Sequence, residues 1–175
     1  VYKRQLDINI LILAWRSFSG NSGEPSEKNL YNDALKAIEW LNLKGTQNKN
    51  IILYGESLGT GVAVELGLKN EFGGIILESP FTSMEKAAKN IYPWLPIKFL
   101  LKDKYNSESK IQSIKTPILI MHGKEDKIIP FKMGKKLYLL ANEPKFSYFT
   151  EDDDHMMKFD ERLIQSIKNF LNLHS

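Results

Sequence analysis

Residues 55–59 read Gly55-Glu56-Ser57-Leu58-Gly59, a serine with a glycine two positions to either side. A serine hydroxyl becomes a useful nucleophile when a base takes its proton and a carboxylate orients that base. The chain has three histidines, His122, His155 and His174. His122 sits inside Ile-Met-His-Gly at the end of an apolar run, and His174 is next to last. His155 follows the last predicted strand, where a loop at the sheet's C-terminal edge would bring it to Ser57, so it is the expected base. Asp126, in His-Gly-Lys-Glu-Asp just past the preceding strand, is the expected acid. Its neighbour Glu125 is expected to point elsewhere, Asp152–Asp154 to form a solvated acidic run that raises the histidine's basicity, and Glu56 to be structural. Average residue usage produces the G-x-S-x-G pattern in roughly one chain in twenty of this length. The pattern therefore gains weight only from its setting and from partners that follow in the order Ser, Asp, His.

The setting is a strand–turn–helix. Ile51–Tyr54 is an apolar run that reads as a buried strand, and Leu58–Leu68 reads as a helix. A serine between them must occupy a tight, strained turn that lifts its hydroxyl above the sheet. A side chain at either glycine is expected to collide with the neighbouring strand and helix, and the helix N-terminus favours developing negative charge. Other readings of these glycines fail. A phosphate-binding loop needs Gly-Lys-Ser/Thr, but Val62 follows Gly59-Thr60-Gly61, and a dinucleotide fingerprint from Gly59 would need a small residue at Val64.

The elements around the motif alternate. Asp7–Ala14 reads as a buried strand, followed by a Gly/Ser/Asn-rich loop and a helix opened by Pro25-Ser26, with Ser26 as cap and Gly45 as stop. Further strands are expected at Gly74–Glu78, Ile118–Met121 and Phe146–Phe149, and further helices at Ser83–Ile91, near Lys132–Ala141 and over roughly Asp160–Leu171. Five strands separated by helices predict a single α/β domain over 6–175 with a mainly parallel sheet covered on both faces. The stretch 81–115 departs from the alternation. Pro93 and Pro96 interrupt it, and Tyr92–Leu101 is bulky and apolar. We expect buried cap packing there, with contact to a membrane surface as the weaker alternative.

Composition narrows the classes. With no cysteine, disulfides, thiolate metal sites and a cysteine nucleophile are excluded. A net charge of +3 without a basic, aromatic-interleaved cluster argues against nucleic acid. No apolar run reaches the ~18–20 residues of a membrane span. The first five residues, Val-Tyr-Lys-Arg-Gln, are the translation of GTGTATAAGAGACAG, part of a transposon end used in preparing sequencing libraries. Residues 1–5 are therefore expected to be a scar of cloning or read-through.

The stretches WRSFSGNSGEPSE, LYGESLGTGVAVEL, GIILESPFTSM, PILIMHGKEDKIIP and FTEDDDHMMKFDE together resemble the α/β-hydrolase superfamily. More narrowly, the chain is similar to the small α/β-hydrolase-domain, serine aminopeptidase-like serine hydrolases. The resemblance implies a serine hydrolase acting on an ester, thioester or amide of a small-molecule acyl substrate, without metal or organic cofactor. It assigns Ser57 as nucleophile, Asp126 as acid, His155 as base and the Leu58 N–H as one oxyanion donor. It also makes 81–115 a variable cap in which Phe81, Trp94 and Leu95 could line an acyl pocket. Two departures stand out. Arg16-Ser17-Phe18-Ser19 replaces the family's usual Arg-Gly-Tyr-Gly, so the loop loses a glycine's freedom. The family sheet has eight strands, of which the five here resemble the fourth to eighth. The His-Gly motif that supplies the second oxyanion donor is missing upstream of Ser57. The expectation is an N-terminally truncated copy, cytoplasmic or membrane-associated, its leader absent from this chain. A peptidase of the serine aminopeptidase type, or a non-catalytic fragment, are the alternatives.

Overall fold

The computed structural model describes residue 6 and residues 8–172. The proposed scar at 1–5 and His174 lie outside the described residues. Besides two short 3-10 helices at Asn48–Asn50 and Ile111–Ser113, the elements of the described residues follow in order: helix α1 (Glu27–Leu43), strand β1 (Ile52–Glu56), helix α2 (Leu58–Lys69), strand β2 (Gly74–Glu78), helices α3 (Met84–Ile91) and α4 (Ile97–Leu100), strand β3 (Ile118–Gly123), helix α5 (Phe131–Leu140), strand β4 (Lys145–Thr150) and helix α6 (Glu161–Asn172). The four strands form one sheet in the order β1-β2-β3-β4, every pair parallel.

Local chemistry explains most boundaries. Ser26 caps α1, its hydroxyl accepting from Asn29 N–H at 3.2 Å, and Ser83 does the same for α3 through Lys86 N–H. The central strands β2 and β3 are buried at every position, as runs covered on both faces should be. Their side chains alternate between two cores. Ile75, Leu77, Ile118 and Ile120 face α1, α2 and α5, through Leu30, Val62, Leu66 and Leu137. Ile76, Leu119 and Met121 face α6, through Leu163, Ile167 and Phe170. Three layers result.

Residues 8–14 correct the expectation of a fifth strand: none is formed there. Leu13 packs against the core, and Leu13 and Ala14 border Asp33, Lys36 and Ala37 of α1, whereas Ile10, Leu11 and Ile12 are exposed. Apolar, β-branched residues favour a strand, but a strand is realised by ladder partners. Among the described residues β1 pairs with β2 alone, and residues 8–14 do not take up its open edge.

The loop that follows keeps the backbone that glycines would give it. Ser17 and Ser19, standing where the resembling family has glycine, adopt φ of 66° and 52°. Ser17 Oγ donates to Gly23 O at 2.8 Å, and Arg16 pairs through two nitrogens with Asp33 on α1.

Candidate active site

Ser57 lies between β1 and α2 with φ 48° and ψ −115°, a backbone region that costs a non-glycine residue roughly 1–3 kcal/mol. Its N–H donates to Glu78 O at 3.0 Å, which ties the turn to the end of β2. The flanking glycines differ in their reasons. A Cβ on Gly55 would stand 2.5 Å from Gly59 O and 2.8 Å from Thr60 Cα, so the first glycine is what lets strand and helix meet. A Cβ on Gly59 would meet nothing within 4 Å, which corrects the expectation of a clash there: on the first turn of α2 it points into open space. The second close approach is at Gly61, two residues outside the motif, where a Cβ would press on Tyr105 and Phe81. Leu58 is the first residue of α2, so its N–H has no acceptor within the helix.

The partners come from the far side of the sheet. β1 and β4 are opposite edges, about 14 Å apart over three inter-strand spacings. The segment after β4 must therefore cross the C-terminal ends of β3 and β2 to reach Ser57. Three hydrogen bonds fasten it: Lys124 N–H to Thr150 O at 2.9 Å, Glu125 N–H to Asp153 O at 3.1 Å, and Ser79 Oγ to His155 O at 3.0 Å. Gly123 makes the crossing possible, since a Cβ there would lie 2.1 Å from Asp153 O. Ser79 is itself held at φ 49°, with its N–H on Met121 O.

The result is one hydrogen-bonded chain. His155 Nε2 is 3.0 Å from Ser57 Oγ, and His155 Nδ1 is 2.8 Å from Asp126 Oδ2. Asp126 Oδ1 accepts from the N–H groups of Ile128 and Ile129 at 2.9 and 2.8 Å. Burial alone would push the Asp126 carboxyl upward. The hydrogen bonds from His122, His155 and Ile129 outweigh it and hold the group well below the ordinary carboxylate range. His155 is raised above the ordinary imidazole value by its bond to Asp126, against burial, with help from the charges of Glu56 and Asp154.

The structure thus brings Ser57, Asp126 and His155 together. Glu125 is exposed and points away, and Glu56 is exposed. The acidic run is not uniformly solvated: Asp153 is buried, its carboxylate facing Lys158, because its carbonyl is drawn under Glu125. The three residues suggested for an acyl pocket have different surroundings. Phe81 is 1% exposed, edge-on to Tyr105 in the core, Leu95 is half-buried, and Trp94 is 75% exposed with its ring against Tyr92. Ile97 is the one fully buried side chain of 92–101, because prolines at 93 and 96 leave a single helical turn with one inward face. The buried cap packing expected for this stretch is not what forms.

Sequence reasoning missed two contributors. Ser79 fastens the histidine loop, and nothing in Glu78-Ser79-Pro80 announces a positive φ. His122 was set aside as a strand-end histidine, yet its Nε2 is 3.1 Å from Asp126 Oδ2. Its four-residue spacing from Asp126 was the available signal.

Comparison with known proteins agrees with this architecture. A profile described as the prolyl oligopeptidase family matches residues 16–172. An uncharacterised protein of Mycobacterium tuberculosis (strain H37Rv) is 40% identical over 141 residues, covering 80% of this chain and 50% of that protein. Alpha/beta hydrolase domain-containing protein 17B of Homo sapiens is 34% identical over 154 residues, covering 86% and 51%. The chain spans about half the length of the curated relatives it matches. Among solved structures, a monoacylglycerol lipase of Paleococcus ferrophilus superposes with a TM-score of 0.65 at 18% identity, covering 92% of this chain and 82% of that one. The chain belongs to the prolyl oligopeptidase family of the α/β-hydrolase superfamily.

Proposed function

We propose that the protein is a serine hydrolase that cleaves an ester, thioester or amide through an acyl-enzyme. One observation carries the reading: the unbroken chain Ser57 Oγ, His155 Nε2, His155 Nδ1, Asp126 Oδ2 at hydrogen-bond lengths, ending on a serine in a strained turn. As Ser57 Oγ bonds to the acyl carbon, its proton passes to His155 Nε2. The carbonyl oxygen becomes an oxyanion that accepts from Leu58 N–H. His155 then gives the proton to the leaving group as its bond to the acyl carbon breaks. Water attacks the acyl-serine, losing its proton to His155, which returns it to Ser57 as the acid departs. Asp126 stays ionised throughout and keeps the imidazole in the tautomer that faces the serine.

The test is covalent labelling with a fluorophosphonate on the whole protein. We expect Ser57→Ala to abolish labelling while the protein stays folded. A folded wild-type protein that takes no label would instead favour a non-catalytic binding module. A panel of acyl esters and aminoacyl amides separates esterase from peptidase, since the reacting groups are the same for both. The pH profile adds a second check. The base must be neutral, and His155 is raised above its ordinary value of 6.5. The acid limb of kcat/KM should therefore fall at a pH above 6.5, with activity lost as pH drops through it. A limb below 6.5 would contradict the role given to the Asp126–His155 bond.

A further inference from the structure

His122 is a buried titratable group that the mechanism above does not use. It lies in β3 with its side chain 0% exposed. Nε2 faces two acceptors, Asp126 Oδ2 at 3.1 Å and Ile129 O at 2.9 Å. With Asp126 ionised, neither can donate, so the hydrogen must be on His122 Nε2. The other ring nitrogen has no room for a proton's partner. Nδ1 is buried without a hydrogen bond and faces Gly134 of α5, where a Cβ would come within 2.2 Å of it. A proton on Nδ1 would leave a buried donor unsatisfied, which is unfavourable. The ring edge packs on Phe131, centroids 5.8 Å apart. The geometry therefore holds His122 in one tautomer, a fixed Nε2–H donor.

We infer that His122 is a positioning residue for the proposed reaction: it donates to the same Asp126 oxygen that receives His155, and thereby limits how strongly His155 holds a proton. The inference rests on the assignment of Ser57, His155 and Asp126 as the reacting groups. Asp126 has four donors, two backbone N–H groups on Oδ1 and two imidazoles on Oδ2. A donor on Oδ2 stabilises the carboxylate most when its charge is not already shared with an imidazolium, so it favours neutral His155. The opposing pull is strong. Asp126 from the β3–α5 loop, Glu56 from β1 and Asp154 from the histidine's own loop all favour the protonated ring, and Glu78 at the end of β2 also interacts with it. A general base works best when its pKa stays near the working pH. Among the described groups that approach Oδ2, His122 is the one whose hydrogen bond acts in that direction without occupying Ser57.

The experiment is an NMR pH titration of the protein with isotope-labelled histidines, for wild type, His122→Phe and His122→Gln. In wild type, His122 should show Nε2–H with bare Nδ1. In His122→Phe, which keeps an aromatic ring and loses the donor, the His155 midpoint should rise by about half to one pH unit, a fraction of what one hydrogen bond to a charged group contributes, because the bond exists in both protonation states of His155. His122→Gln, which restores an N–H at that distance, should bring the midpoint back. The acid limb of kcat/KM should move with it, kcat falling more than KM changes. An Nδ1–H tautomer of His122 in wild type overturns the inference even if both variants unfold. So does an unmoved His155 midpoint in folded His122→Phe. A protein that takes no fluorophosphonate but whose His155 midpoint follows His122 loses the hydrolase reading and keeps the coupling between the two histidines.

Discussion

Serine holds a backbone conformation that suits glycine at the elbow, at Ser79 after β2 and in the loop before α1, and the first and last of these differ in what surrounds it. At the elbow, Ser57 at φ 48° is enclosed by the end of β1, the start of α2 and the end of β2. In the loop before α1, Ser17 at φ 66° and Ser19 at φ 52° lie in an exposed segment fastened by a few polar contacts. A strained residue persists only where its surroundings over-determine it. At the elbow that surrounding is backbone packed on backbone, and the reward is a hydroxyl aimed at His155. In the loop it is a set of hydrogen bonds among exposed groups, Ser17 N–H to Asn21 O and Ser17 Oγ to Gly23 O among them, and an ion pair, with no reacting group nearby. Strain alone therefore does not mark a site; strain locked by packing, with a chemical partner in reach, does.

The largest effect is expected where the packing is tightest. Gly55→Ala forces a Cβ to within 2.8 Å of three backbone atoms of α2, none of which can rotate away. Loss of about 3 kcal/mol or more is expected in urea unfolding, together with loss of Ser57 labelling. An Ala variant of wild-type stability would show that the elbow is not locked by this contact, and the contrast between the two regions would collapse. Next comes Ser57→Gly. It relieves φ 48°, ψ −115° without touching the packing, so it should stabilise the fold by about 1–2 kcal/mol while removing the proposed nucleophile. Stabilisation without activity would show that the strain is retained for chemistry rather than for folding.

How far this could be seen in the sequence follows the same line. The strands and helices of the βαβ run were legible because Gly74–Leu77 and Ile118–Met121 are short apolar runs, and because Ser26 is a cap residue. Ser57, Asp126 and His155 were legible because each follows a strand, and strand ends are where a parallel sheet presents its loops. Residues 8–14 were misread because apolarity reports a preference, while a ladder depends on a neighbour. Trp94 and Phe99 were expected in a buried cap and are 75% and 86% exposed, because hydrophobicity does not say whether a surface exists to receive it. His122 and Ser79 were missed because their work lies in contacts between loops distant in sequence, 76 residues apart for Ser79 and His155.

Gly59→Ala is the next test in size, and its sign separates motif from mechanics. The position is helical and a Cβ there meets nothing within 4 Å, so alanine should gain about 0.5–1 kcal/mol from helix propensity. Gly61→Ala should do the reverse, since its Cβ would press on Tyr105 Cβ at 2.9 Å. A destabilised Gly59→Ala in urea unfolding would mean that the space beside α2 is filled in the whole protein.

The smallest effect belongs to the exposed loop. Ser17→Gly removes a φ of 66° that costs a residue with a Cβ about 1 kcal/mol or more, but it also loses the bond from Ser17 Oγ to Gly23 O and adds freedom to the unfolded chain. These terms nearly offset, so the net change should stay within about half a kcal/mol in urea unfolding. Fluorophosphonate labelling at Ser57 should be unchanged, since nothing in the hydrogen-bonded chain from Ser57 to Asp126 passes through this loop. A Ser17→Gly variant that gained as much as Ser57→Gly would show that the loop stores comparable strain. The loop would then need a locked surrounding and a chemical role of its own.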